Sequence, residues 1–376
     1  MTQSLGYGLI GTGFMGKCHA LAYRSATAVF GDVAAPRMEI LCDTPEEKAG
    51  RFATQFGFQR ATSDWRAVID DPAVDIVSIT TPNGMHKEMA LAALAAGKHV
   101  HLEKPMALTL QDAREMAEAA ARAPGRTMVG YNYLHNPAIA HARKLIEEGA
   151  IGRPIHFRGL VDEDYQADPD LPWTWRARRA DAGLGALGDL GCHLVSLAVL
   201  LLGPVASVIA EMQTVHETRK LADSDERRPV ENEDVASALL TFESGVNGLF
   251  SCSRSAWGRK SRIGLEIHGT KGMITYEQER MNELRLYRND GTGATQGFTT
   301  ILTGPAHPPY GEFVPAPGHQ LGFNDLKVIE VRSFLKAIAD GTLTFPSFAD
   351  AFHYEAVIHA IAQAAESGAR VRPEAA

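Results

Sequence analysis

The stretch Tyr7-Gly8-Leu9-Ile10-Gly11-Thr12-Gly13-Phe14-Met15-Gly16 decides the fold. Tyr7 to Ile10 reads as a short buried strand and Met15 to Arg24 as a helix. The glycine pattern between them is weak alone and specific directly after a strand and before a helix. Gly11 permits a tight turn, Gly13 lets the backbone approach a pyrophosphate, and Gly16 lets helix and strand pack closely. The helix N-terminus, with Phe14 and Met15 in its first turn, offers N–H groups and a positive dipole end to phosphates. A plain glycine-rich turn is the competing explanation.

Working outward, strands at Met38–Cys42, Ile76–Thr80, His99–Leu102 and Thr127–Gly130 alternate with helices at Pro45–Phe56, His86–Ala96 and Leu110–Ala121. Short apolar strands alternating with helices predict a doubly wound parallel sheet over residues 1–130. After a helix at Pro137–Glu148, the rhythm changes to adjacent strands between Ile155 and Tyr287. Turns are read at Glu243-Ser244-Gly245 and Thr270-Lys271-Gly272. Residues 131–376 therefore read as an α+β domain on a large, mostly antiparallel open sheet, closed by helices Leu326–Ala339 and Ala349–Ser367. A second glycine match, Gly183 to Gly188, follows charged residues instead of an apolar strand. It reads as a flexible lead into a helix.

The strand ends supply the candidate ligand residues, because ligands bind outside the carboxyl ends of such strands. Asp43 closes the second strand, where a carboxylate accepts bonds from ribose hydroxyls and repels a 2′-phosphate. This favours NAD over NADP. Asp32 fits the usual spacing better, but it lies in a loop. Thr81, Asn83 and His86 follow the next strand and could reach the cofactor; His86 could equally be a structural residue. Glu103-Lys104-Pro105 ends another strand, with Lys104 as an acid/base candidate. Asp189 and His193 stand four apart, which on a helix puts them on one face. A carboxylate beside an imidazole orients it and stabilises its charged form, as a general base for alcohol oxidation needs. An N-cap aspartate and a core histidine would give the same spacing.

The 376 residues carry 37 Lys+Arg and 45 Asp+Glu, a net charge of −8, which argues against a nucleic-acid binder. Hydrophobic residues at 45% exclude a disordered chain. The apolar run Leu194–Leu202 is far shorter than the ~20 residues a membrane span requires, so no membrane partner is expected. Four scattered cysteines fit a reducing compartment, and a cytoplasmic location is expected. No metal-ligand spacing stands out.

Gly11 to Gly16, Glu103-Lys104-Pro105 and Gly188 to His193, in this order, resemble the glucose–fructose oxidoreductase/inositol dehydrogenase (Gfo/Idh/MocA) family. Gly149-Ala150-Ile151-Gly152 extends the match. Gly13 to Lys17, Trp173 to Arg176, Thr303 to Pro308 and Lys327 to Glu330 are similar to its levoglucosan dehydrogenase-like members. The resemblance implies catalytic roles for Lys104, Asp189 and His193, with His193 as proton acceptor. It implies that Asn132 lies near the nicotinamide of NAD, and that Trp175 and Arg176 contact cofactor or substrate. It implies oxidation of a ring secondary alcohol, commonly C3, of a sugar, anhydrosugar or inositol. Leu134 stands where the family often has Arg. Tyr133, His135, Asp162, Tyr165 and Gln166 are the candidate substrate contacts. A homodimer or homotetramer through the C-terminal sheet is also implied. A redox-neutral NAD enzyme and a non-catalytic sensor on the same fold remain the alternatives.

Overall fold

The computed structural model describes residues 4–291 and 293–375. They form two compact units: one of residues 4–135 with Gly322–Phe352, the other of Asn136–Leu321 with residues 353–375.

The first unit begins with β1 (Gly6–Ile10), α1 (Phe14–Phe30), β2 (Arg37–Cys42), α2 (Glu46–Phe56), β3 (Arg60–Thr62) and α3 (Trp65–Asp70). It continues with β4 (Ile76–Ile79), α4 (His86–Ala95), β5 (His99–Leu102), α5 (Leu110–Arg122) and β6 (Thr127–Val129). The strands make one parallel sheet of order β3-β2-β1-β4-β5-β6. β1 and β4 are wholly buried, as strands covered on both faces must be. α2 shows how the helices are written: Ala49, Ala53 and Phe56 bury one face, Glu46 and Glu47 occupy the first turn, and Gly57 at φ +80° caps the end. The topological switch falls between β1 and β4, so the glycine loop and the segment after β4 flank the crevice. β3 and α3 were not anticipated from sequence.

The second unit opens with α6 (Pro137–Glu147) and β7 (Pro154–Asp162). Next come α7 (Arg179–Ala182), a π-helical turn (Leu187–Gly191), α8 (Cys192–Leu202), β8 (Val205–Gln213) and a small hairpin of β9 (Thr218–Lys220) and β10 (Arg227–Pro229). Then follow β11 (Val235–Phe242), β12 (Asn247–Ser253), β13 (Arg262–Gly269), β14 (Gly272–Glu277), β15 (Glu283–Arg288), β16 (Thr299–Leu302) and α9 (Tyr310–Phe313). The eight-stranded sheet runs β16-β15-β14-β13-β7-β12-β11-β8. Only β7 and β12 pair in parallel; every other neighbour is antiparallel. Along β7, Phe157, Gly159 and Val161 are buried while Arg158 faces out, the alternation of a sheet covered on one side. Gly159 admits α8: a Cβ there would lie 2.8 Å from Leu194. The apolar stretch Arg179–Leu202 is mostly buried within this unit.

The observed division differs from the expected break at residue 130. Helix α10 (Phe323–Asp340) belongs to the first unit, whereas α11 (Phe348–Ser367) starts there and continues into the second. The reason is chemical. α10 buries Lys327 and Glu330 completely, and their charged partners, Glu103 and His101, are in the first unit.

Candidate dinucleotide site and catalytic residues

The glycine loop is built as its spacing implies. Gly11 has φ +98°, and a Cβ there would lie 2.8 Å from the Thr80 carbonyl oxygen. A Cβ on Gly16 would lie 2.2 Å from the Gly11 carbonyl oxygen. Gly13 is exposed and a Cβ on it would meet nothing within 4 Å. It is the N-cap of α1 without a side-chain cap, and the first turn carries no acid. Backbone donors there are open to an anion. Phe14 is 71% exposed and stacks on Phe323, and Met15 is half-buried.

Asp43 is bound into this loop. Its Oδ2 accepts from the Thr12 N–H at 2.9 Å and from the Thr12 hydroxyl, and Lys48 Nζ lies 2.8 Å away. Burial alone would raise its carboxyl; the bonds from Lys48, Thr12 and Thr44 hold it below the usual range. Asp32 is instead paired with Arg332 on α10. Thr81 and Asn83 are half-buried after β4. His86 departs from its expected place as a cofactor contact. It is 1% exposed, and its ring nitrogens lie 3.0 Å from the carbonyl oxygens of Thr81 and Pro105. It ties two loops together.

Glu103 also departs from the rim. It is 4% exposed, and its carboxylate meets His19 and Lys327, each at 2.8 Å. Lys104 is half-buried beside it, and the Lys104–Pro105 peptide is cis. Asn132 is 2% exposed, and its amide Nδ2 has no hydrogen-bond partner among the described residues. An unmet buried donor costs about 1–3 kcal/mol, and its place just after β6 is where the sheet binds ligands. Tyr133 packs edge-on against Phe323, and Leu134 is buried. Burial lowers the His135 imidazole to about 4. The open Gly13 cradle, the Asp43 carboxylate and the unmet Asn132 donor together fit a dinucleotide.

In the second unit, Asp189 lies in the π turn and His193 in the first turn of α8, 7% exposed. The i→i+5 pattern of a π turn keeps residues four apart within one turn, and such turns gather at functional sites. Tyr165, expected to touch substrate, donates its hydroxyl to Asp189 Oδ2 at 2.7 Å. Burial, then the Asp189 charge, holds the Tyr165 phenol well above its ordinary range. The glycines before the turn are not flexible: Gly183 to Gly188 are all buried. A Cβ on Gly185 would lie 1.9 Å from the Glu233 carbonyl oxygen. Glu233 Oε1 accepts the Leu187 N–H at 2.8 Å and so fixes the turn; nothing in the sequence pointed to it. Asp162 ends β7 with Arg262 at 3.7 Å, and burial raises its carboxyl. The backbone of Gln166 bonds Arg254 and Arg219. Trp175 is half-buried, with the exposed Arg176 over its ring.

A model of the oxidoreductase family with an NAD-binding Rossmann fold matches residues 5–131, and a model of the GFO/IDH/MocA C-terminal domain matches residues 139–275. The chain is 41% identical to levoglucosan dehydrogenase of Pseudarthrobacter phenanthrenivorans, over 96% of each chain. It is 27% identical to inositol 2-dehydrogenase of Rhizobium meliloti, over 91% of each. A solved levoglucosan dehydrogenase, in complex with NADH and levoglucosan, matches with a TM-score of 0.95 at 40% identity, over 99% of this chain and 100% of that one.

Proposed function

The chain belongs to the GFO/IDH/MocA family of NAD-binding oxidoreductases, and from that premise we propose that it oxidises a secondary ring hydroxyl of an anhydrosugar, sugar or inositol. The relatives favour an anhydrosugar such as levoglucosan, and the family resemblance implies C3 as the carbon oxidised. His193 carries the reading: it is an almost buried imidazole one turn after a carboxylate that Tyr165 holds in place.

The glycine loop, Asp43 and Asn132 would hold NAD, together with Thr81, Asn83, Trp175 and Arg176. Bound NAD supplies the acceptor for the hydride that leaves the carbinol carbon. His193 accepts the hydroxyl proton, Asp189 orients the ring and stabilises its charged form, and Lys104 polarises the oxygen. Loss of the proton with the hydride leaves a neutral ketone, so the step requires no metal. Tyr133, His135, Asp162 and Gln166 are the proposed substrate side of the site. NADH formation across 1,6-anhydrosugars, hexoses, glycosides and inositols tests this. His193→Ala should lose about two to four orders of magnitude in kcat. A chain that reduces no NAD across the panel, with His193→Ala equal to wild type, would refute it. Failure to release NADH during turnover would favour the redox-neutral alternative.

The same reading assigns the uncovered face of the large sheet to a second copy of the chain. Leu239 and Leu249 are 51% and 42% exposed there, a paired apolar patch. Around it stand Arg158, Arg285, Glu211 and Glu266, charges of both signs that can complement themselves about a twofold axis. Light scattering should give at least a dimer, and Leu239→Arg/Leu249→Arg a monomer. A wild-type monomer would reject the assignment. A cytoplasmic location is supported by the four cysteines, which are all buried thiols.

A further inference from the structure

Helix α10 brings two charges into the interior of the first unit. Lys327 and Glu330 are both 0% exposed. Lys327 Nζ donates to Glu330 Oε1 at 2.7 Å and to Glu103 Oε1 at 2.8 Å. His19 Nε2 lies 2.8 Å from the same Glu103 oxygen, and its Nδ1 lies 3.0 Å from Ser78 Oγ. His101 bridges Glu330 Oε1 at 2.9 Å and the Tyr23 hydroxyl at 3.1 Å. Glu103 Oε1 is thus gripped from two sides. The other oxygen, Oε2, accepts the backbone N–H of Lys104 at 3.3 Å.

The cluster also presses on the end of β6. A Cβ on Gly130 would lie 2.5 Å from Glu103 Oε1 and 2.9 Å from Lys327 Nζ. The backbone two residues before Asn132 therefore rests on these charges. Buried ion clusters are poor stabilisers, since well-packed apolar residues in their place are often as stable or more so. What such a cluster does provide is a fixed position for each member. A cation is not called for here. His19, His101 and Glu330 present ligand atoms within 4.8 Å of one another, but the Lys327 ammonium already occupies Glu330 Oε1 at 2.7 Å.

We propose that Lys327 and Glu330 are positioning residues for the reaction: they clamp Glu103, and through it the backbone that aims Lys104. The inference rests on the catalytic reading of Lys104. It is tested with the fastest substrate of the panel above. The variant Glu103→Gln/Lys327→Met removes the inner ion pair without changing the net charge of the cluster, and Glu330 keeps its His101 partner at 2.9 Å. It should fold, bind NADH within about threefold of wild type by NADH fluorescence, and keep its sugar KM. Its kcat should fall about tenfold or more, because small misplacements of a reacting group are costly. In a Lys104→Ala background the same pair should cause no further loss, since effects through a shared partner are not additive. Glu330→Gln, which keeps the shape and bonding of the side chain, runs the same comparison if the double variant does not fold. Wild-type kcat in a folded variant, or an equal further loss without Lys104, would overturn the clamp alone. A Lys104→Ala enzyme with wild-type kcat would instead overturn the catalytic reading, and the clamp with it.

Discussion

Asp43 shows how one residue can be legible in type and illegible in use. Its place at the end of an apolar strand is enough to prefer it over Asp32, which forms an ion pair with Arg332. The sequence could not reveal that the carboxylate reaches back to Thr12 inside the glycine loop, because that depends on side-chain rotation and not on spacing. Beside its proposed place at the ribose, the residue therefore shapes the loop. Asp43→Asn should lower kcat/KM for NAD about tenfold to a hundredfold, the scale of losing bonds to a charged acceptor. It should also free Lys48, now 2.8 Å from the carboxylate, to attract a 2′-phosphate, so NADP should improve. Kinetics with both cofactors measure the ratio; an unchanged ratio would remove Asp43 from the ribose site. Tyr165 is the opposite case. An aromatic hydroxyl 24 residues before Asp189 follows no local period, so only the folded chain reveals the pairing.

At the scale of elements, the glycine loop and α1 act as one unit whose glycines do different work. Gly16 is a packing glycine, since its Cβ would press on the Gly11 carbonyl at 2.2 Å. Gly13 has φ −65°, open to any residue, and empty space where its Cβ would be. Gly16→Ala should therefore cost about 1–3 kcal/mol of stability, the usual penalty for overpacking. Gly13→Ala should stay within about 0.5 kcal/mol of wild type yet weaken NADH binding about tenfold. Urea unfolding and NADH fluorescence separate the two; equal stability losses would deny the division of labour. Periodicity and turn chemistry exposed this element because every signal lies within ten residues. α10 was legible only as a helix. Lys327 and Glu330, three apart between Leu326 and Val331, did mark charges on an apolar face. Their partners Glu103 and His101 lie more than 220 residues away, and no local pattern carries such a pairing. For the same reason the break at residue 130 missed the return of the chain to the first unit.

For the molecule as a whole, the buried titratable groups set the pH range of stability. Burial pulls His19 from its ordinary 6.5 down to about 3. Between those values the unfolded chain binds a proton that the native one refuses, so stability falls as pH drops below 6.5. The slope is about 1.4 kcal/mol per pH unit for that one group. Burial also lowers His86, which adds to the same limb. Glu330 is held at about 2 and Glu103 lower still: burial raises each, and Lys327 together with the bonded histidine, His101 or His19, brings it down. Their contribution is present above the ordinary 4.5 and is lost as pH falls toward 2. Lys327 runs the other way. Burial would lower it, but Glu103 and Glu330 raise it above its ordinary 10.5. Its contribution is complete below 10.5 and disappears as pH rises past it. Melting temperature should therefore be highest between about pH 6.5 and 10 and fall on both sides. The triple variant Glu103→Gln/Lys327→Met/Glu330→Gln should flatten the alkaline limb and the acid limb below 4.5, and keep the fall that begins near 6.5. A wild-type melting temperature that holds level from pH 7 to 4 would contradict the neutral, buried state of His19 on which this order of events depends.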